Sequence, residues 1–497
     1  MRSLFSNKFS VFAIILLMKI GMYVLFSSPD QKHLIVGYIF LNSGDINEYL
    51  SPIDNLVEHG NYAISESEPP YAGRLPGFVF PYILFRCFVA QTPAIFCLGI
   101  FILLFSVYAS VKLFQLISSF ANSSKLAWLG VVCIQLIPYY WHWDWSIHPN
   151  SVAASCLILA IFHMHAFMRA GSKKHLFITG SFIMWMFMLR GVTILIIPSV
   201  VIFLIYYLYT NGNTISRSTA LVFIFLAPLM IVEFFWVGRN FISLHKFIPL
   251  QTYFIPGGNN SRTEYAYGNN TKYSMMKVRE MISCWGGDNF WYFKGTDMGW
   301  FVSEHIKVPA EQQFKKVVFV GDITPVKLQG LKQDIIYSLK QGLTQSQHDS
   351  IEAKIETSSQ AYSSEFMKHN SSYYYFVAPF NRVKNFLFKN TTQDWPGLSF
   401  GQSGLLNKGI KGLSLAGYFI TLLLFGIFSI VKFRTILRDK FLLFLFIFPV
   451  CMIITFAFFI NAAHYCYFIY GYIPSTILLL YALRSKNTDQ SFIHTNR

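Results

Sequence analysis

Long apolar stretches alternate with short polar joints along most of the chain. Windows of helix-spanning length select ten segments, at 9–26, 94–117, 126–140, 152–168, 176–189, 193–208, 220–237, 413–431, 441–460 and 465–483. Each approaches the roughly 20 apolar residues that a helix needs to cross a bilayer. Lys19 interrupts the apolar centre of the first, and no small-x-small pattern follows Phe26, so this segment is expected to be a retained anchor rather than a cleaved leader. A further apolar run at 78–89 is too short to cross comfortably. It is expected to lie along the membrane surface with Arg86 reaching to the headgroups.

Between 238 and 408 the pattern turns polar, with Gly, Asn and Ser clusters near 257–270 and a helix-like stretch from 326 to 367. This predicts a separate domain of about 170 residues, large enough to bury a small core of its own. Near its end Tyr373, Tyr374, Tyr375, Phe376, Phe380, Phe386 and Phe388 alternate with Arg382, Lys384 and Lys389, an amphipathic pattern suited to the bilayer surface. The expected architecture is an all-α polytopic membrane protein. Residues 1–237 form a transmembrane module with its first loop at 27–93, residues 238–408 an extracytoplasmic, mostly helical domain, and residues 409–497 the last helices and a tail.

Composition excludes the soluble alternatives. Apolar and aromatic residues make up 54% of the chain and charged residues 13%, against about 25% charged in soluble proteins. An aromatic share of 18% excludes intrinsic disorder. The net charge of +16 would suit nucleic acid, but its distribution points to a membrane instead. With the N-terminus in the cytosol, fifteen Lys and Arg fall on the cytosolic side against Asp439 and Asp489. The first loop reverses this balance, with Asp30, Asp45, Glu48, Asp54, Glu58, Glu66 and Glu68 against Lys32, Arg74 and Arg86. The positive-inside rule then puts both termini in the cytosol and the first loop and 238–408 outside, in a bacterial inner membrane or the ER membrane. The lipid bilayer is the expected partner, and nucleic acid is not. Of seven cysteines only Cys284 lies well inside the polar region, so they read as packing residues. Asn259, Asn269, Asn370 and Asn390 open Asn-x-Ser/Thr motifs, which so Asn- and Ser-rich a region also yields by chance.

Candidate chemistry concentrates in the first loop. Asp45 follows Gly44 soon after the first span, and helical spacing sets Asp45, Glu48 and Tyr49 on adjoining positions of one face. Further on, Arg74-x-Pro76-Gly77 opens the surface helix. A carboxylate and a cation at the water–lipid boundary suit chemistry on an amphiphilic phosphate. Plainer roles are also open. Asp45 suits a helix N-terminus, Glu48 a solvated face, and Arg190 and Arg239 the outer ends of spans, where long cations snorkel. Glu233 suits an ion pair. Trp141, Trp143 and Trp145 read as an interfacial belt, with Asp144 and His148 between them as candidate sugar or metal contacts. His464 suits a helix end or a substrate contact.

These residues resemble the active-centre motifs of the GT-C superfamily, integral membrane glycosyltransferases that use polyprenyl-phosphate sugars and include the protein O-mannosyltransferases and the lipid A aminoarabinose transferase. The family's early loop acid, nearby aromatic residue and later Arg-x-Pro-Gly or Pro-Pro segment look like Gly44-Asp45-x-x-x-Tyr49 and Arg74-x-Pro76-Gly77. Trp236-x-x-Arg239-Asn240 with Phe247-Ile248-Pro249-Leu250, and Leu189-Arg190-Gly191 with Pro198, resemble two further family motifs. The resemblance spans about residues 9 to 250 and departs at Asn461-Ala-Ala-His464-Tyr465, where relatives carry an acid and Arg-Tyr. It implies transfer of a sugar from a polyprenyl-phosphate donor to a glycan, lipid or protein hydroxyl. Asp45 would then be the base, and Glu48, Tyr49, Arg74, Arg190, Arg239, Asn240 and His464 would be substrate contacts. No metal or other cofactor is required, and a divalent metal finds no support in the His and Cys spacing. Two other classes compete. A transporter or flippase should show internal repeats and paired midplane charges, and an O-antigen-type polymerase or ligase should concentrate Arg and His in late loops.

Overall fold

The computed structural model describes residues 7–26, 35–42, 46–66, 70–245, 247–249, 273–288, 296–339, 343–388, 405–459 and 468–483. The apolar stretches fall on helices. The first module contains α1 (Lys8–Phe26), α2 (Ile46–His59), α3 (Val79–Arg86), α4 (Gln91–Ala121), α5 (Ser124–Gln135), α6 (Pro138–Asp144), α7 (Pro149–Ala170), α8 (Lys173–Leu189), α9 (Ile196–Thr210) and α10 (Ile215–Leu244). The polar region supplies α11 (Tyr273–Cys284), α12 (Asp297–Val302), α13 (Ala310–Gln313), α14 (Pro325–Ser338), α15 (Gln345–His369) and α16 (Ala378–Phe388). The chain closes with α17 (Leu405–Val431), α18 (Phe433–Arg438), α19 (Lys440–Ile454) and α20 (Ile469–Ala482). Six helices among the described residues are long and apolar enough to cross a membrane, and Ser124–Gln135 and Ile469–Ala482 are apolar but shorter. The protein is a helical membrane protein.

Several local expectations change. The segment at 126–140 is two helices, because α5 ends at Gln135 and Pro138 opens α6, a position where the missing N–H costs nothing. The fold is not purely helical. Strands β1 (Ile35–Val36) and β2 (Phe40–Asn42) pair antiparallel, and β2 pairs parallel with β3 (Ser146–Ile147), Leu41 opposite Ser146 and Asn42 opposite Ile147. This small sheet ties the first loop to the turn between α6 and α7. The stretch at 326–367 is also two helices, α14 and α15, the second opened by a Thr344–Gln347 capping box.

Helix α3 packs on α2 and α4 with Phe80 and Leu84 exposed, as is Phe88 in the turn that follows. Arg86 does not reach outward as expected, but is buried against α2. Its Nε donates to Asp54 Oδ1 at 2.7 Å and its Nη2 pairs with Glu58. Tyr82 Oη donates to the same Asp54 oxygen at 2.8 Å, and Gln91 Nε2 to Oδ2 at 2.9 Å. Burial, and then the Asp54 charge, push the Tyr82 hydroxyl above its ordinary range, so it stays a donor. Asp54 and Glu58 are one helical turn apart, which lets both meet one guanidinium.

Lys19, which interrupts the apolar centre of α1, is fully buried. Val11, Ile15 and Lys19 recur every fourth residue and form the buried stripe of α1. The Lys19 ammonium donates to Ser106 Oγ on α4 at 3.0 Å, to Gln135 Oε1 on α5 at 2.6 Å, and to Asp144 Oδ2 at the end of α6. Asp144 also accepts from Ser151 on α7, and Lys19 Nζ sits 4.7 Å from the Tyr140 ring centre. The expected interfacial tryptophans are likewise internal. Trp145 stacks on Tyr23 at 4.3 Å and donates Nε1–H to the Lys19 carbonyl at 3.1 Å, while Trp143 stacks on His148 at 5.6 Å. The side chain of Trp141 lies outside the described residues.

The polar region has a hydrophobic cluster of its own, around Trp285, Trp300, Phe301, Phe314 and Phe366. A π-helical turn at Tyr373–Val377 leads into α16, whose Phe386 stacks on Phe456 at 4.0 Å. Arg382, expected on a polar face, is buried. Asn370 donates to Val317 O at 2.9 Å, so this motif's amide is a packing element; Asn259, Asn269 and Asn390 lie outside the described residues.

Removing one partner of a buried ion pair costs about 3–5 kcal/mol, whereas removing both leaves no uncompensated charge. Lys19→Met should therefore destabilise the protein strongly in detergent unfolding. Lys19→Met with Asp144→Leu should recover most of that loss; equal loss in the double variant would contradict the assignment. In the polar domain, desolvation pushes the half-buried Asp297 carboxyl up to about 6. The folded state thus holds a proton that the unfolded chain releases near pH 4. Stability from this group is full below about pH 4 and declines as pH rises through about 6. Asp297→Asn should remove that decline from a thermal-shift pH series.

Candidate functional site

Helix α2 buries Ile46, Glu48, Tyr49, Leu50 and Ile53. Its Glu48 and Tyr49 face two cations that arrive from distant parts of the chain. Arg74 comes from the segment leading into α3. Its Nε donates to Glu48 Oε2 at 2.7 Å, its Nη2 donates to the same oxygen, and its guanidinium lies 5.1 Å from the Tyr49 ring centre. Glu48 is 4% exposed, so it holds an arginine rather than a solvated face.

Arg190 enters from the other side. It caps α8 in an extended conformation, which turns its side chain off the helix end and into the interior. Nη1 donates to Tyr49 Oη at 3.2 Å, and the guanidinium lies 6.0 Å from the Tyr49 ring centre. Nε donates to Asn150 Oδ1, and Nη2 lies 2.7 Å from His148 Nε2, a contact in which the imidazole lone pair faces the guanidinium. His148 and Asn150 sit at the start of α7, directly after β3. Arg190, His148 and Asn150 are all buried.

Gly77 makes this meeting possible. A Cβ there would stand 2.4 Å from Met188 C and 2.5 Å from Leu189 N, so the Arg74-x-Pro76-Gly77 segment lies directly on the last turn of α8 beside Arg190. Trp185 Nε1 secures it with a bond to Gly77 O at 2.8 Å.

Arg239 and Asn240 form a neighbouring joint. Arg239 Nη1 donates to Tyr71 O at 2.7 Å and Asn240 Oδ1 at 2.8 Å, and Nη2 donates to Tyr62 O at 3.1 Å. Its guanidinium lies 4.8 Å from the Tyr62 ring centre. Burial pushes the Tyr62 hydroxyl up to about 12, with Arg239 opposing. Asn240 is fully buried and donates to Ile248 O at 3.1 Å. Together they clasp the first loop to α10. Between α8, α9 and α10 lies an apolar cavity of roughly 320 Å³, lined by Phe187, Ile197, Pro198, Leu229 and Val237 with Glu233 among them. Phe187 and Val237 precede Arg190 and Arg239 by less than one helical turn, so the cavity opens on the same helix ends, and neither arginine is among its lining residues.

The structure therefore brings Glu48, Tyr49, Arg74 and Arg190 together and joins Arg239 and Asn240 to them through Tyr71. Asp45 and His464 lie outside the described residues, although the flanking Asn42 pairs with β3 and Ile46 opens α2. Asp144, weighed as a sugar or metal contact, is committed to Lys19 and Ser151. Asn150 and Tyr71 are site neighbours that the sequence reading passed over; Pro149 at the first position of α7 was the one local cue that a helix entry carries Asn150 there. Among the described residues no group of three or more His, Cys, Asp or Glu could hold a metal ion.

Neither a protein-family model nor a curated protein matches the sequence. Among solved structures, the chain is similar to ArnT from Cupriavidus metallidurans in the apo state, at 10% identity and a TM-score of 0.35, over 95% of this chain and 76% of that one. It is similar to the same protein bound to undecaprenyl phosphate at 11% identity and a TM-score of 0.34, over 95% of this chain and 77% of that one.

Adding a methyl group where backbone atoms cannot yield typically costs about 1–3 kcal/mol. Gly77→Ala should fall at the upper end of that range in thermal unfolding, because its nearest neighbours are the backbone of α8. A neutral effect would mean that the Arg74 segment is not held against α8.

Proposed function

We propose that the protein is a membrane glycosyltransferase of the GT-C type, moving a sugar from a polyprenyl-phosphate-linked donor to an acceptor hydroxyl on the periplasmic or lumenal side, with inversion. The observation that carries this reading is the meeting of Arg74 and Arg190 on Tyr49, four residues after Asp45, with an apolar cavity on the neighbouring ends of α8 and α10. Two guanidiniums suit a phosphate, and an apolar cavity nearby suits the chain attached to it.

In this mechanism Asp45 takes the proton of the acceptor hydroxyl as its oxygen attacks the anomeric carbon. The bond from that carbon to the phosphate oxygen breaks on the opposite face, and its electron pair leaves with the lipid phosphate. The charge that grows there is met by Arg74 and Arg190, held in place beforehand by Glu48 and by His148 with Asn150. Arg239 and Asn240 keep the first loop seated. The acceptor's identity and the sugar are open to assay with a panel of labelled lipid-linked sugars and native membranes.

Asp45→Asn should insert and fold normally, retain undecaprenyl phosphate binding, and lose about 10²–10⁴-fold in transfer rate, the usual contribution of a general base. Near wild-type turnover in that variant would exclude the mechanism. Movement of lipid-linked sugar across vesicles without transfer would favour a flippase instead.

A further inference from the structure

Tyr71 is held from every side except at its hydroxyl. Its N–H donates to Tyr62 O at 2.7 Å, and its carbonyl accepts from Arg239 at 2.7 Å. The residue is 1% exposed. Yet Tyr71 Oη is buried and finds no hydrogen-bond partner among the described residues. The ring is accommodated only because residue 73 is Gly: a Cβ there would stand 2.6 Å from Tyr71 Cε2 and 2.7 Å from its Oη. Arg74, the next residue, is the cation that meets Glu48 and Tyr49.

A hydroxyl in this position is costly, because burial strips its water without returning a bond. Phenylalanine would fill the same volume without that cost. Burial also pushes the hydroxyl well above its ordinary range, with Arg74, Glu48, Tyr62 and Tyr49 as the groups acting on it. It therefore keeps its proton and stands as a donor beside Gly73, one residue before Arg74. The other buried hydroxyls without partners among the described residues include Ser118 and Ser429 on membrane helices and Ser359 in the polar domain; none of them adjoins this cluster.

We infer that Tyr71 is a ligand-binding residue whose hydroxyl donates a hydrogen bond to the anionic head of the lipid-linked ligand at the Arg74–Arg190 site. The inference rests on the glycosyltransferase reading for the ligand's chemistry, but on the orphaned donor for the residue. It differs from a packing role in a measurable way. If the hydroxyl only fills space, Tyr71→Phe changes nothing or raises stability. If it binds, stability holds and affinity falls.

The experiment uses the full-length protein in detergent, with undecaprenyl phosphate as the probe, and measures both binding and thermal unfolding for wild type and Tyr71→Phe. The expected result is about tenfold weaker binding, the size of one hydrogen bond to a charged group, with an unchanged or higher Tm. Equal affinity in the two proteins overturns the assignment while leaving the site reading intact. A lower Tm in the variant also overturns it, because the hydroxyl would then have a partner within the fold. Wild-type protein that does not bind the probe overturns the lipid-phosphate reading, and this assignment with it.

Discussion

The membrane module is organised around one buried ion pair. A lysine and an aspartate inside an apolar bundle are tolerable only if each charge is fully met, since an isolated charge there costs far more than any single contact returns. Lys19 satisfies this condition completely. Its three ammonium protons go to Ser106, Gln135 and Asp144, on three different helices. Gln135 passes its own amide on to Ser110 at 2.8 Å, and Asp144 takes a further bond from Ser151. Such a network is satisfied in one arrangement of α1 against α4, α5, α6 and α7, so it sets their register in a way that interchangeable apolar contacts do not. A pair whose ammonium protons are all committed, and whose carboxylate oxygens each accept a bond, is a joint in the scaffold. This is why it lends little to a transport reading, in which intramembrane charges exchange partners.

What the joint holds is the turn that follows it. Trp145 bonds to the Lys19 backbone, Ser146 and Ile147 pair with the strand that leads to Asp45, and His148 meets Arg190. The membrane interior and the first loop are thus one mechanical unit. The loop repeats the same rule at its own level. Glu48 is taken by Arg74, and Asp54 and Glu58 are taken by Arg86. Carboxylates that would face water in an open loop instead fold it down onto the helices, and the partly dry surroundings strengthen each contact. Arg239 closes the far side by binding two loop carbonyls. Each of Arg74, Arg190 and Arg239 is thus held by named partners on other parts of the chain.

The sequence by itself determined the class of the molecule. Apolar length is a one-dimensional property, so the helical, membrane character could be read directly; the number of spans could not, since ten were expected and six long apolar helices occur among the described residues. Short motifs also singled out Glu48, Tyr49, Arg74 and Arg190, which the fold brings together. Pairing could not be read in this way. Nothing local to Lys19 names Asp144, nothing local to Arg86 names Asp54, and snorkelling was the expectation for cations that prove to be buried. Even the every-fourth-residue spacing of Val11, Ile15 and Lys19 told only which face of α1 is covered, not what covers it. Asn150 and Tyr71 gave no warning, because their meaning lies in the guanidinium that one meets and the partner that the other's hydroxyl lacks among the described residues. Only the tertiary structure decided these points, because a buried charge or hydroxyl takes its role from groups distant in sequence that packing brings within hydrogen-bonding range.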